Sequence, residues 1–193
     1  MSLSITLRPY TSTDFEFLWS TIDSRIAWLT CKGLEGQWGA EPWDSEIKEQ
    51  LRSRLVEDAR RGGFNWIAEV DGQLAGFFQM TPFRPDYLPL LKTDDKPGEE
   101  LYLRLLVVHT DFGGRGLGEF MLRFAKRFAG ERKVDWVRMD CWKGVPGEGK
   151  DGLVRYYEGK GFTRVHDFVV PAERLKRVTE YAGHLLEWKV VEV

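Results

Sequence analysis

The chain has 193 residues and a mass of 22.4 kDa, the size of one domain, and a chain this long buries about 70% of its unfolded surface without needing disulfide or metal staples. Hydrophobic residues make up 42% and charged residues 30%, which is too apolar for intrinsic disorder. Twenty-eight Lys and Arg against 30 Asp and Glu leave a net charge of −2, with no basic excess for a nucleic-acid partner, and two cysteines in no CxxC spacing give no metal cage.

Ile5 and Leu7 alternate with Thr6 and Arg8, which predicts a strand over 4–8 that Pro9 ends. Thr11, Ser12 and Thr13 offer N-caps, and Asp14 supplies an acid for a first turn. Phe15, Leu18, Trp19, Ile22 and Ile26 at helical spacing then carry a helix toward Leu29. Residues 30–42, rich in Gly and Trp, are expected as loop. Asp44 or Ser45 caps a second helix to about Arg60, with Ile47, Leu51, Leu55 and Val56 as its apolar stripe. Residues 65–70 and 73–81 read as strands about an Asp71-Gly72 hairpin turn. Residues 82–99 carry four prolines and form an irregular segment of a length that is often functional.

An apolar strand follows over 100–108, a glycine-rich stretch over 111–118 and an amphipathic helix over 117–129. Beyond it come a strand over 134–141, a second Gly-rich loop over 143–150 and a short helix over 151–159. A strand over 161–170, a short helical connection over 171–181 and a last strand over 184–193 complete the order. Hairpins alternating with helical crossovers predict an α/β (α+β) fold with a mixed sheet, one domain over 1–193. No apolar run is long enough for a signal peptide or a membrane span, so a cytoplasmic protein without a membrane partner is expected.

The most informative stretch runs from Leu105 through Val107, Val108 and His109 to Gly113, Gly114, Arg115, Gly116, Leu117 and Gly118. It reads as strand, glycine loop, helix. A helix start leaves about four N–H groups without internal partners, and with the helix dipole these make an anion site. Glycines let the backbone approach a phosphate closely. The triphosphate-binding pattern fails because Leu117 follows Gly116 where Lys is needed, and the dinucleotide pattern fails at Glu119. From the glycines alone, a phosphate cradle and a plain chain reversal both remain open.

Gly116 and Gly118, with Gly114 as an extra glycine, make the stretch resemble the Arg/Gln-x-x-Gly-x-Gly/Ala junction of the GNAT superfamily of acyl-CoA-dependent N-acyltransferases. Gly113 stands where that pattern has Arg or Gln. The element order fits the superfamily over most of the chain. A second match is its Tyr-x-x-x-Gly-Phe, here Tyr157, Gly161 and Phe162. The resemblance implies a single domain with a mixed central sheet of about seven strands flanked by helices. It implies acetyl-CoA as acyl donor and no metal. Leu106, Val107, Val108, Gly113, Gly114, Arg115, Gly116, Leu117 and Gly118 would bind the cofactor, with Arg115 supplying charge. Tyr157 would protonate the leaving thiolate, although packing against Leu153 and Val154 would also account for a tyrosine there.

The implied reaction is direct attack of an amine on a thioester. An alkylammonium of pKa about 10.4 is only ~0.04% neutral at pH 7, which costs roughly 4.6 kcal/mol, so a general base is useful. A strand N–H of Leu106 or Val108 would serve the developing oxyanion. Strict alternation puts Glu100, Tyr102, Arg104, Leu106 and Val108 on one face. Glu100 and Asp140 are the base candidates; Asp140, inside an apolar strand, would otherwise be a rim carboxylate paired with an Arg. Trp28, Gln37, Trp38 and Tyr102 are the expected acceptor-binding residues. Asp86, Asp94, Asp95 and Glu99 would make the 82–99 segment an acidic lid, an insertion or a dimer contact. The leading expectation is an N-acetyltransferase acting on a small-molecule amine. A protein lysine or N-terminus as acceptor, or a CoA-binding regulatory module without turnover, are the alternatives, and a homodimer stays open.

Overall fold

Seven segments have the side-chain pattern of strands, and all seven join one sheet in the computed structural model, which describes residues 4–88, 98–144, 152–172 and 180–191. They are β1 (Ile5–Pro9), β2 (Phe64–Val70), β3 (Gln73–Thr81), β4 (Glu100–Val108), β5 (Trp136–Trp142), β6 (Thr163–Val170) and β7 (Tyr181–Lys189). The helices are α1 (Phe15–Cys31), α2 (Ser45–Arg60), α3 (Leu117–Glu131) and α4 (Gly152–Glu158). The sheet order is β1-β2-β3-β4-β5-β7-β6. β4 and β5 run parallel, and every other neighbouring pair is antiparallel. This is the expected single mixed α/β domain, with α3 as the crossover that a parallel pair requires.

The helices bury opposite faces of the sheet. Phe15, Leu18, Ile22 and Ile26 of α1 and Leu51 and Leu55 of α2 pack on Ile67, Phe77 and Val107. Met121, Leu122, Ala125 and Ala129 of α3 pack on the other face, against Phe78, Met80, Leu101 and Leu103. Asp44 caps α2 as expected, its carboxylate accepting from the Ile47 N–H at 2.9 Å. The Asp71-Gly72 turn has φ of 51° and 77°, the left-handed pair that a two-residue hairpin demands.

Strict alternation fails in β4. Gln79 of β3 faces Leu105 while Met80 faces Leu103, so Arg104 is an extra residue at a β-bulge. Leu101 and Leu103 share the α3 face with Leu106 and Val108, whereas Leu105 and Val107 lie in the α1–α2 core and Tyr102 packs with Tyr181 and Trp142. The expected common face of Tyr102, Arg104, Leu106 and Val108 is therefore split. The bulge coincides with a second change: β4 pairs with β5 only from Glu100–Trp136 to Leu103–Met139. Beyond that point the two strands separate, and the site lies in the gap.

β7 begins at Tyr181 and ends at Lys189, earlier than the strand expected over 184–193. It lies between β5 and β6 with both edges paired, and residues 183–187 are all buried, so no two-residue alternation marks its register. The acidic positions Asp94 and Asp95, most of the loop over 143–150 and most of the connection over 171–181 lie outside the described residues. No helix among the described residues is long and apolar enough to cross a membrane.

Candidate active site

The glycine loop turns the chain from β4 into α3. Residues Thr110–Phe112 make a tight turn, and Gly114 and Gly116 then adopt φ of 73° and 77°. An L-residue is strained there, which explains glycine at both positions. The first helical hydrogen bond runs from Phe120 N–H to the Gly116 carbonyl at 3.0 Å, so the N–H groups of Leu117, Gly118 and Glu119 precede the ladder of α3. These amides border a cavity of about 760 Å3 lined by Leu106, Val107, Val108, Gly113, Gly114, Gly116, Leu117 and Gly118. That volume is in the range of small-molecule and cofactor sites. Arg115 does not join them. Its guanidinium lies 5.3 Å from the centre of the Phe112 ring, in a separate recess with His109 and Asp111.

Beyond Leu103 the edge of β4 facing the gap has no strand beside it among the described residues. His109 N–H bonds the Ala75 carbonyl on the β3 side. By alternation the N–H groups of Leu106 and Val108 point the other way, into the gap. The Val108 carbonyl there accepts from Arg25 Nε at 2.8 Å. Arg25 also lies 5.2 Å from the Trp28 ring, and both line the large cavity. Burial holds the Arg25 guanidinium below its usual range, and the nearby Tyr157 phenol acts the opposite way.

A second cavity of about 140 Å3 lies deeper between the separating strands. Gln37, Trp38, Leu106, Trp142, Leu153 and Tyr157 line both cavities, so the two adjoin along these shared walls. Trp38 is braced by Trp43, whose Nε1 donates to the Trp38 carbonyl at 3.0 Å. Trp28 lines the large cavity only. Tyr157 is buried in α4, and burial pushes its phenol far above the usual range, so it stays protonated.

Asp140 lines the smaller cavity and is held by three phenols. Tyr87 donates to Oδ1 and Tyr181 to Oδ2, each at 3.0 Å, and Tyr102 makes a third, shorter bond to Oδ1. Loss of hydration raises the Asp140 carboxyl above the usual carboxylate range, and the three O–H donors act against that rise. The arginine partner considered from sequence is not what holds it. Cys141 next to it is pushed up to about 12 by burial and then by Asp140.

Two other expected site residues stand elsewhere. Glu100 lines neither cavity; Arg84 Nε donates to one oxygen at 2.7 Å, and Arg138 closes on the other. The two guanidinium groups outweigh its burial and hold its carboxyl low, which unsuits it as a base. Tyr102 is fully buried, lines neither cavity and donates its hydroxyl to Asp140. The sequence did not single out Arg25, Tyr87 or Tyr181. Tyr87 and Tyr181 lie 53 and 41 residues from Asp140, so no local pattern connects them. The available signal was Asp140 itself, since a carboxylate in an apolar strand must find partners.

The amide-lined groove at the start of α3 thus opens where the parallel strands β4 and β5 part. Residues 24–144 match the acetyltransferase (GNAT) family. The chain belongs to the GNAT family. It is 29% identical over 125 residues to an uncharacterized N-acetyltransferase in the pepI 3′ region of Lactobacillus delbrueckii subsp. lactis. That match takes 61% of this chain and 63% of the relative, so the chain spans under two thirds of the relative's length. A ribosomal-protein-alanine N-acetyltransferase from Brucella melitensis has the same fold, with a TM-score of 0.65, 18% identity and coverage of 95% of this chain and 99% of that one. The PaiA N-acetyltransferase from Thermoplasma acidophilum, solved in complex with coenzyme A, superposes with a TM-score of 0.60, 16% identity and coverage of 96% and 99%. Arg115 and Glu100, both expected at the site from the sequence, line neither of the two cavities.

Proposed function

We propose that this GNAT protein transfers the acetyl group of acetyl-CoA to the primary amine of a small molecule by direct attack. The observation that carries the reading is Tyr157, which lines both the large cavity beside the glycine loop and the small cavity holding Asp140. Acetyl-CoA suits the large cavity on two grounds. The loop amides and the start of α3 offer N–H donors to a pyrophosphate, and the open edge of β4 offers backbone partners to an extended amide-bearing arm. Gly113, Gly114, Gly116 and Gly118 would hold the phosphates, and Leu106 and Val108 the arm. The donor supplies an activated thioester.

The protein's own groups complete the chemistry. Asp140 takes the proton of the incoming ammonium, and its raised pKa makes it a stronger base than a free aspartate. Tyr87, Tyr102 and Tyr181 fix its orientation. The Leu106 N–H stands ready for the developing oxyanion. Tyr157, protonated across the neutral range, gives its proton to the departing thiolate. Trp38 and Gln37 wall the acceptor. At about 140 Å3 the acceptor cavity is below the usual span for whole drug-sized ligands, which favours a small acceptor over a polypeptide segment.

Thiol release from acetyl-CoA with a panel of amines tests this. Asp140→Asn and Tyr157→Phe should each lower kcat/KM on the best amine by roughly 100-fold, the low end of general acid–base contributions. Stabilisation of the folded protein by acetyl-CoA should be retained in both. Wild-type turnover in either variant removes that residue from the mechanism. Tight CoA binding without turnover of any amine by the wild type would favour the non-catalytic module.

A further inference from the structure

The smaller cavity has two electrical poles. Asp140 marks one. Arg104 lines the same cavity and marks the other. As the extra residue of the β4 bulge, Arg104 reaches toward α2, where Nη1 lies 3.3 Å from the Asp58 carboxylate. Asp58 is buried and also accepts from Gln79 Nε2 at 3.1 Å. Arg54 of α2 stands close enough to feel the charges of both Arg104 and Asp58. Asp58 therefore answers Arg104 while it also serves Gln79, with the charge of Arg54 close by. Tyr87 lines the cavity with both Asp140 and Arg104. Its hydroxyl is 3.0 Å from Asp140, and the fields of Arg104 and Arg54 both reach its phenol.

We infer that the acceptor is a small free amino acid, its ammonium directed to Asp140 and its carboxylate to Arg104. This rests on the acetyl transfer proposed above and names its substrate class. A simple alkylamine would meet Asp140 and leave the cavity-lining Arg104 with Asp58 as its anionic partner. A carboxylate a few bonds from the amine satisfies both, through the charge-assisted hydrogen bonds for which a guanidinium is shaped. A peptide N-terminus and a lysine side chain lack a carboxylate at that distance, so the same feature separates a free amino acid from a protein acceptor. The bulge explains the placement. As the extra residue, Arg104 leaves the β3–β4 alternation at the point where β4 also parts from β5.

The test is initial-rate thiol release by the wild type at saturating acetyl-CoA. A panel of common L-amino acids is used, each beside its primary amide and its decarboxylated amine. At least one acid should exceed both of its analogues tenfold or more in kcat/KM. Amine reactivity cannot produce that result against the amide, whose α-amine resembles a peptide N-terminus with pKa about 7.7–8.0 and is the more neutral of the two. Arg104→Lys keeps a cation opposite Asp58 but loses the planar fork, and should cut the acid-to-amide ratio at least tenfold, mainly through KM. Analogues that match or beat every acid overturn the inference, as does a ratio unmoved by Arg104→Lys. Calorimetric binding of N-acetyl amino acids against the matching N-acetyl amines, with CoA present, reads the same preference without chemistry. A carboxylate preference there, alongside full turnover by Asp140→Asn, would sink the base and keep the substrate class. An Asp140-dependent enzyme indifferent to the carboxylate would do the reverse.

Discussion

Asp14 and Asp140 both lose hydration on folding, and their partners send them in opposite directions. Arg8 donates two hydrogen bonds to Asp14, at 2.7 and 2.8 Å, and holds its carboxyl down to about 2 from an ordinary 3.8. Asp140 has neutral phenols instead of a cation, and lost hydration prevails. The signs follow. The Asp14 pair contributes stability that is present above pH 3.8 and lost as pH falls toward 2. Asp14→Asn should cost on the order of 1–2 kcal/mol at pH 7, discounted for the half-exposed Arg8, with the difference closing near pH 2 in urea titrations. Asp140 contributes stability that is complete below the ordinary carboxylate value and is lost as pH rises through its raised folded value. Asp140→Asn, equal in shape and uncharged, should therefore be at least as resistant to urea as wild type at pH 7 while losing activity. A lower midpoint would show that the tyrosine cage favours the charge more than burial opposes it. The sequence exposed Asp140 as anomalous, but not the phenols around it, which arrive from β4, from the β3–β4 connection and from β7.

At the scale of elements, the glycine loop and the β4 bulge differ in how they were written. Gly116 was readable because its job is local. It sits at the N-cap of α3 with φ of 77°, and nothing lies within 4 Å of where a Cβ would go. Gly116→Ala thus meets strain and not collision, about 1–2 kcal/mol for an L-residue in that conformation. Gly116→Asn, which tolerates it better, should recover most of the lost stability in a thermal melt. Equal loss from both would mean that the space is filled in solution. The bulge was not readable, because Leu101, Tyr102 and Leu103 before it and Val107 and Val108 after it are all buried. A strand covered on both faces has no polar side to betray a register change. Arg104 was its single mark, and it was assigned to a face by an alternation that the bulge breaks.

At the scale of the whole molecule, function depends on a sheet that is continuous at one end and parted at the other. Four residue pairs join β4 to β5, and beyond them the strands border the two cavities. The element order and the glycine loop, both local, were enough to indicate the family. The acceptor cavity was beyond reach because its walls come from the α1–α2 connection, the β3–β4 connection, β4, β5, α4 and β7. A ligand bridging the parted strands should stabilise the fold. Acetyl-CoA at about 100 times its Kd adds roughly 2.7 kcal/mol, a rise in Tm on the order of 5–10 °C for a chain this size. No rise with acetyl-CoA or CoA would leave the large cavity without its assigned occupant.

The decisive measurement is kcat/KM against pH, from 6 to 10, for wild type and Asp140→Asn on the best amine of the panel. With Asp140 as base, the wild type should reach its plateau well below the pKa of the amine. The variant should be roughly 100-fold slower near pH 7 and recover as solvent alone deprotonates the amine. A variant that tracks the wild type at every pH would contradict the assignment of Asp140, and with it the chemistry placed between the two cavities.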